Sequence, residues 1–203
     1  MSKIFKSLIF FAIILVFCVP ARAAISDPEL FFKEKVDELY TILNDENLDE
    51  ERQYEEINAF VEKSFCLDQM CCYVMRSKWK KLNDQEKENF KKYFTMLITN
   101  YYLNKVRQYY KEWQIEILPA NEEDKTKDRL PIIVKASQNG FEDVFINFSL
   151  YFISGEWKLY NIKAVGVSFL TNFQSQINSD NKKNREKLAE ILKGNWERET
   201  QEQ

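Results

Sequence analysis

The sequence predicts an α+β fold in which a twisted antiparallel sheet of about four strands is covered by several helices. Three observations carry this reading. Apolar residues recur at threes and fours over 28–110, the period changes to two over 113–165, and the strand-like segments are joined by connections too short for a crossover helix. An antiparallel meander of this kind has an apolar face that must be covered, and a long aromatic helix just before it is the natural cover.

The first 23 residues stand apart from the fold. Lys3 and Lys6 precede an unbroken apolar run from Leu8 to Val19, and Ala21-Arg22-Ala23 offers a small-x-small cleavage site, which is the pattern of a secretory signal peptide. Pro20 and Arg22 end the run short of the ~20 apolar residues a membrane-spanning helix requires. Cleavage after Ala23 takes away three basic residues and no acidic one, so 26 of the 29 Lys and Arg then face 32 Asp and Glu, for a net charge of −6. That balance carries no nucleic-acid footprint, which would be a basic face. The remaining length suits one domain, expected over 24–195, with a polar tail over 196–203.

Asp27-Pro28-Glu29 combines a capping aspartate, a proline suited to the first helical position and a first-turn acid, and it opens a helix carrying Phe32, Val36, Leu39, Tyr40 and Leu43. A polar break over 44–49 separates it from a second helix reaching Lys63, with Tyr54, Ile57 and Val61 on one face. A third, short helix is expected from Asp68 to Trp79. Asn83 and Glu86 then form a capping-box pattern at the head of the longest periodic segment, which runs to Tyr110 and presents Phe90, Phe94, Leu97, Tyr101 and their neighbours as a broad aromatic stripe.

The strands follow. Trp113, Ile115 and Ile117 alternate with polar residues, a charged loop covers 119–129, and Leu130 to Ser137 is the second strand. Asn139-Gly140 signals a hairpin. The third strand, Glu142 to Ile153, places Val144, Ile146, Phe148, Leu150 and Phe152 on one face, with Phe145, Asn147, Ser149 and Tyr151 on the other. Gly155 turns the chain into a fourth strand from Trp157 to Val165. Two short helices, 168–177 and 184–192, close the fold.

Motifs for chemistry are sparse. The chain has no histidine, no G-x-S-x-G elbow and no phosphate-cradling glycine loop, so neither a catalytic centre nor a cofactor is nominated, and the usual zinc sets are excluded. Cys66, Cys71 and Cys72 fall within seven positions and read as small buried apolar residues, with an internal bridge requiring a break in the helix that carries them. The aromatic content, 16 Phe, 10 Tyr and 4 Trp, does not distinguish a full core from a hollow one.

A more specific signal lies at the fourth strand and beyond it. Trp157-Lys158-Leu159-Tyr160, running into Gly166-Val167-Ser168-Phe169-Leu170 and then Asn172-Phe173-Gln174-Ser175-Gln176, resembles the signature of the MlaC family, the toluene-tolerance auxiliary component. Upstream, Phe65 through Met70-Cys71-Cys72-Tyr73-Val74-Met75 to Trp79, and the helix from Gln85 to Tyr102, are similar to that family's phenylalanine-rich blocks in the same order. The chain departs from the pattern at Cys66 (aspartate in the family), Arg76 (glycine) and Gln174 (commonly arginine).

The resemblance implies a periplasmic carrier that is not an enzyme and holds a phospholipid as cargo, acyl chains between sheet and helices and headgroup at the surface. It also implies two partners: an inner-membrane ABC transporter complex reached through an MCE-domain protein, and an outer-membrane lipoprotein complex. On this reading Val144, Ile146, Phe148, Leu150 and Phe152 floor the pocket, Phe94, Leu97 and Tyr101 form its lid, and Val167 and Phe169 lie near its mouth. Three alternatives stay open at this point: a paralogue carrying a hopanoid or other hydrophobic small molecule, an α+β enzyme with a small pocket, and an interaction module with a solid core.

Overall fold

The computed structural model of the chain describes residues 27–196 apart from 110 and 180, and their side chains except those of 101–109 and 126. The expected signal peptide and the residues beyond 196 lie outside the described residues.

The described α-helices, apart from the one that starts at Leu67, begin at a side chain that accepts from their free N–H groups. Helix α1 (Pro28–Asn44) is capped by Asp27, whose Oδ1 accepts from the Glu29 N–H at 2.8 Å and from the Leu30 N–H at 3.3 Å. Asp49 caps α2 (Glu50–Ser64) through the Arg52 N–H at 2.9 Å. The capping box at the head of α4 (Asp84–Tyr109) is reciprocal: the Glu86 N–H donates to Asn83 Oδ1 at 2.9 Å, and the Asn83 N–H donates to Glu86 Oε2 at 2.8 Å.

Between these lies the main departure from the sequence reading. Helix α3 spans Leu67–Met75 and stops there, short of Trp79, and the chain continues as a 3₁₀ helix over Arg76–Lys81. The cause is Arg76, at φ 54° and ψ −132°, a conformation that glycine adopts freely and an L side chain resists. The break turns Trp79 edge-on to Phe90, ring centroids 6.1 Å apart. It also falls at the position where the resembled family carries glycine. Arg76 is exposed and strained, so Arg76→Gly is expected to stabilise the protein by about 1 kcal/mol, measured by urea unfolding; a loss of stability would show that the arginine side chain contributes more than the backbone strain removes.

Five strands form one antiparallel sheet in the order β1-β2-β3-β4-β5: Gln114–Ile117, Arg129–Ser137, Val144–Ile153, Glu156–Ala164 and the two-residue Val167–Ser168. The fifth strand is an addition to the expected meander; it pairs with the end of β4 and leads directly into α5 (Phe169–Ile177). Register places Leu130, Ile132, Val134 and Ala136 of β2 beside Leu150, Phe148, Ile146 and Val144 of β3, so the apolar positions of both strands share one face. Between β3 and β4 the pairing shifts from Ser149↔Asn161 to Leu150↔Leu159, a bulge that leaves Tyr160 as the extra residue. At the same place Phe65 bridges to Leu159, and the Cys66 N–H donates to the Leu159 carbonyl at 2.9 Å.

The helices cover the apolar face and wrap round the β4 edge. Phe32 of α1, Phe60 and Val61 of α2, Met70 and Val74 of α3, Phe90 and Phe94 of α4 and Leu170 and Phe173 of α5 are buried in one cluster with Leu130, Ile132, Leu150, Trp157 and Leu159. The last helix, α6 (Lys182–Lys193), contributes Leu188 and Ile191 and ends at Gly194, whose φ of 80° is the left-handed turn that closes a helix. Beyond it Trp196 packs edge-on to Tyr93, 5.7 Å between centroids.

Candidate functional site

The covered face of the sheet is not uniformly closed. At one end Leu130 is 2 % exposed, Leu150 1 % and Trp157 1 %. Along β3 toward the other end, Phe148, Ile146 and Val144 are only half-buried, as is Ala164 beyond Ile162 on β4, and Ile115 on β1 is 39 % exposed. The neighbouring β2 residues Val134 and Ala136 are buried, at 3 % and 5 %, so the solvent-reached apolar surface at this end is confined to β3, Ala164 and Ile115. Helix α4 is tied to that end: Tyr109 closes it and Gln114 opens β1 five positions later, a reach of at most ~17 Å.

Val144, Ile146, Phe148 and Leu150 line up in a single row along β3, from the half-buried end to the buried one. Phe152 continues along β3 and packs against Trp157, its register partner, with centroids 5.1 Å apart. Phe94 stands in a separate aromatic cluster where α4 meets α5: it is fully buried, 6.2 Å from Phe90, 5.8 Å from Phe169 and 5.2 Å from Phe173. Leu97 and Phe169 are half-buried against the core, and Val167 is 61 % exposed on β5. Tyr101 belongs to α4, but its side chain lies outside the described residues. Five of the ten expected residues thus form the β3 row and two, Phe94 and Phe169, meet in the α4/α5 aromatic cluster; Leu97 packs elsewhere against the core and Val167 lies outside both.

The row has a cover that the sequence reading left out. Phe32 of α1 lies against Phe148 with ring centroids 4.8 Å apart. Its place in an apolar helical stripe marks it for burial, but nothing local to α1 says which strand it meets.

Two cavities on the molecule lie away from the row. One, of about 440 Å³, lies on the opposite face of the sheet and touches the row only at Leu150. The other, of about 480 Å³, lies between α3, α4 and the β3–β4 turn; most of its charges are paired, Lys91 with Asp68 and Glu88 at 3.3 Å each and Lys158 with Glu156 at 3.0 Å.

The three described cysteines are free. Burial pushes the Cys66 thiol up to about 12, and burial together with the neighbouring Asp68 pushes Cys71 up as well, so both stay protonated at neutral pH and pack as small apolar groups. The Cys66 thiol donates to the Leu159 carbonyl at 3.2 Å. Cys72 is exposed.

Comparison with known proteins agrees with this architecture. A phospholipid-binding protein from Ralstonia solanacearum, solved in complex with a phospholipid, superposes with a TM-score of 0.70 at 15 % identity, covering 84 % of this chain and 97 % of that one, which establishes a common fold. No curated protein matches the sequence. The profile of the MlaC protein family matches residues 33–194, from the first turns of α1 to the glycine that ends α6. The chain belongs to the MlaC family.

Proposed function

We propose that this protein is a phospholipid carrier, exported with removal of residues 1–23, whose folded domain over 24–195 works in the periplasm. The acyl chains lie along the β3 row under α1 and α4, and the headgroup stays at the open end near Val144 and Ala164. The observation that carries this reading is the gradient of exposure on the covered face, from Leu150 at 1 % to Ile115 at 39 %. A solid core would bury this apolar row to its end; a lipid slot leaves it accessible from one side. The phospholipid held by the similarly folded Ralstonia protein supports the choice of ligand.

The energetics fit such a role. Hiding an acyl chain from water is worth about 0.8 kcal/mol per CH₂, so a carrier needs a deep apolar slot and polar groups only at its mouth. No covalent step is required. The family membership supports the wider pathway, in which lipid passes between an outer-membrane lipoprotein complex and an inner-membrane ABC transporter through its MCE-domain protein.

Organic extraction of the purified protein followed by mass spectrometry tests the ligand. About one diacyl phospholipid per chain is the expected result. A hopanoid or another hydrophobic molecule in its place would make the protein a carrier of that class, and an empty protein that takes no phospholipid from vesicles would contradict the proposal.

A further inference from the structure

The face of the sheet opposite the β3 row carries its own cavity. Cross-strand register sets Asn147 of β3 beside Lys163 of β4 and Ser149 beside Asn161, and brings Arg129 of β2 beside Tyr151. These side chains surround the 440 Å³ cavity, a volume within the range of small-molecule sites. The bulge at Tyr160 opens the sheet surface here, and Tyr160 and Tyr151 wall the space with ring centroids 6.3 Å apart.

The lining is unusual in its charge. It contains Arg129 and Lys163 and no carboxylate, in a chain whose formal net charge is −3. Neither cation has an ion-pair partner among the described residues; the Arg129 guanidinium lies 4.5 Å over the Tyr151 ring, which holds it at the rim. The Asp128 carboxylate acts electrostatically on Arg129 but does not line the cavity. The Asn161 side chain is oriented: its Oδ1 accepts from Ser168 Oγ at 3.1 Å and from the Leu170 N–H at 3.3 Å, which turns its NH₂ away from α5. The side chains of Asn147 and Ser149 make no hydrogen bond among the described residues. Arg129 donates one hydrogen bond to the Tyr151 side chain; its remaining N–H groups, the Lys163 ammonium, two amide NH₂ groups and the Ser149 hydroxyl form a donor set complementary to an oxyanion.

We infer that this cavity binds a phosphate group, carried either by a small soluble ester or by a lipid headgroup, at a site separate from the acyl-chain cleft because it lies on the other face of the sheet. Arg129 and Lys163 supply the charge, and Asn147, Ser149 and Asn161 supply neutral donors.

The test titrates inorganic phosphate, then glycerol 3-phosphate, into the protein without residues 1–23 at constant ionic strength while amide NMR shifts are followed. Saturable shifts at Asn147, Ser149, Asn161 and Lys163 are expected, weakened about tenfold or more by Arg129→Gln with Lys163→Gln. Lys163→Gln alone, at an exposed position outside the core, keeps the test valid if the double variant fails to fold, and is expected to weaken binding by a smaller factor. Co-sedimentation with phosphatidylcholine vesicles, with and without phosphatidylglycerol, separates the sources: phosphate binding without preference for anionic vesicles assigns a soluble ester, and anionic-vesicle binding lost in the variants assigns a headgroup. Shifts that the substitutions leave unchanged, or no saturable shift and no vesicle preference, would overturn the assignment.

Discussion

Phe148→Asp is expected to yield a protein that purifies with at least tenfold less phospholipid than the wild type, as quantified by extraction and mass spectrometry. Phe148 sits midway along the β3 row, half-buried, with its ring 4.8 Å from Phe32. A carboxylate there has no cation to pair with on the covered strands: its register neighbours are Ile132 on β2 and Ile162 on β4. An unpaired charge in such surroundings is destabilised by several kcal/mol, and an acyl chain laid across it would deepen the penalty. The loss of the Phe32 contact will also destabilise the fold. Val144→Asp separates the two effects, because Val144 lies nearer the open end, where a charge reaches solvent. That variant is expected to stay folded and still lose lipid; a folded Val144→Asp protein with full lipid content would remove the open end of the row from the binding surface.

Phe94→Ala is expected to destabilise the protein by about 3–5 kcal/mol, a large part of the ~5–15 kcal/mol typical of a domain, and to lower its Tm by about 10 °C. Phe94 is fully buried, with Phe90, Phe169 and Phe173 all within 6.2 Å between centroids, so truncation leaves a cavity lined by three rings that cannot collapse into it. Thermal unfolding of the extracted, lipid-free protein measures this directly. A small change in the lipid-free protein coupled to a large loss of lipid would instead give Phe94 the role of a pocket lid.

The distinction between these two residues was only partly readable from the sequence. Alternation along 144–152 identifies the faces of β3, and the Asn83/Glu86 pair identifies the start of α4, because both signals depend on neighbours within a turn or a strand. The break at Arg76 escaped such reasoning: arginine is an ordinary helix former, and only the tertiary fold forces its backbone into the glycine region. The departure from the family glycine was visible there, but its conformational meaning was not. Phe32 meeting Phe148, and the convergence of Arg129, Asn147 and Lys163, depend on strand register and on a bulge between segments far apart in the chain, which periodicity does not encode.

The central claim, that lipid tails lie between the helices and the covered face of the sheet, is tested most directly by a phospholipid carrying a nitroxide near the end of one acyl chain. Methyl signals of Val144, Ile146 and Leu150 are predicted to broaden strongly on loading, and that of Ile133, which points to the opposite face from β2, to broaden least. Broadening that is strongest at Ile133, or equal on the two faces, would contradict the account.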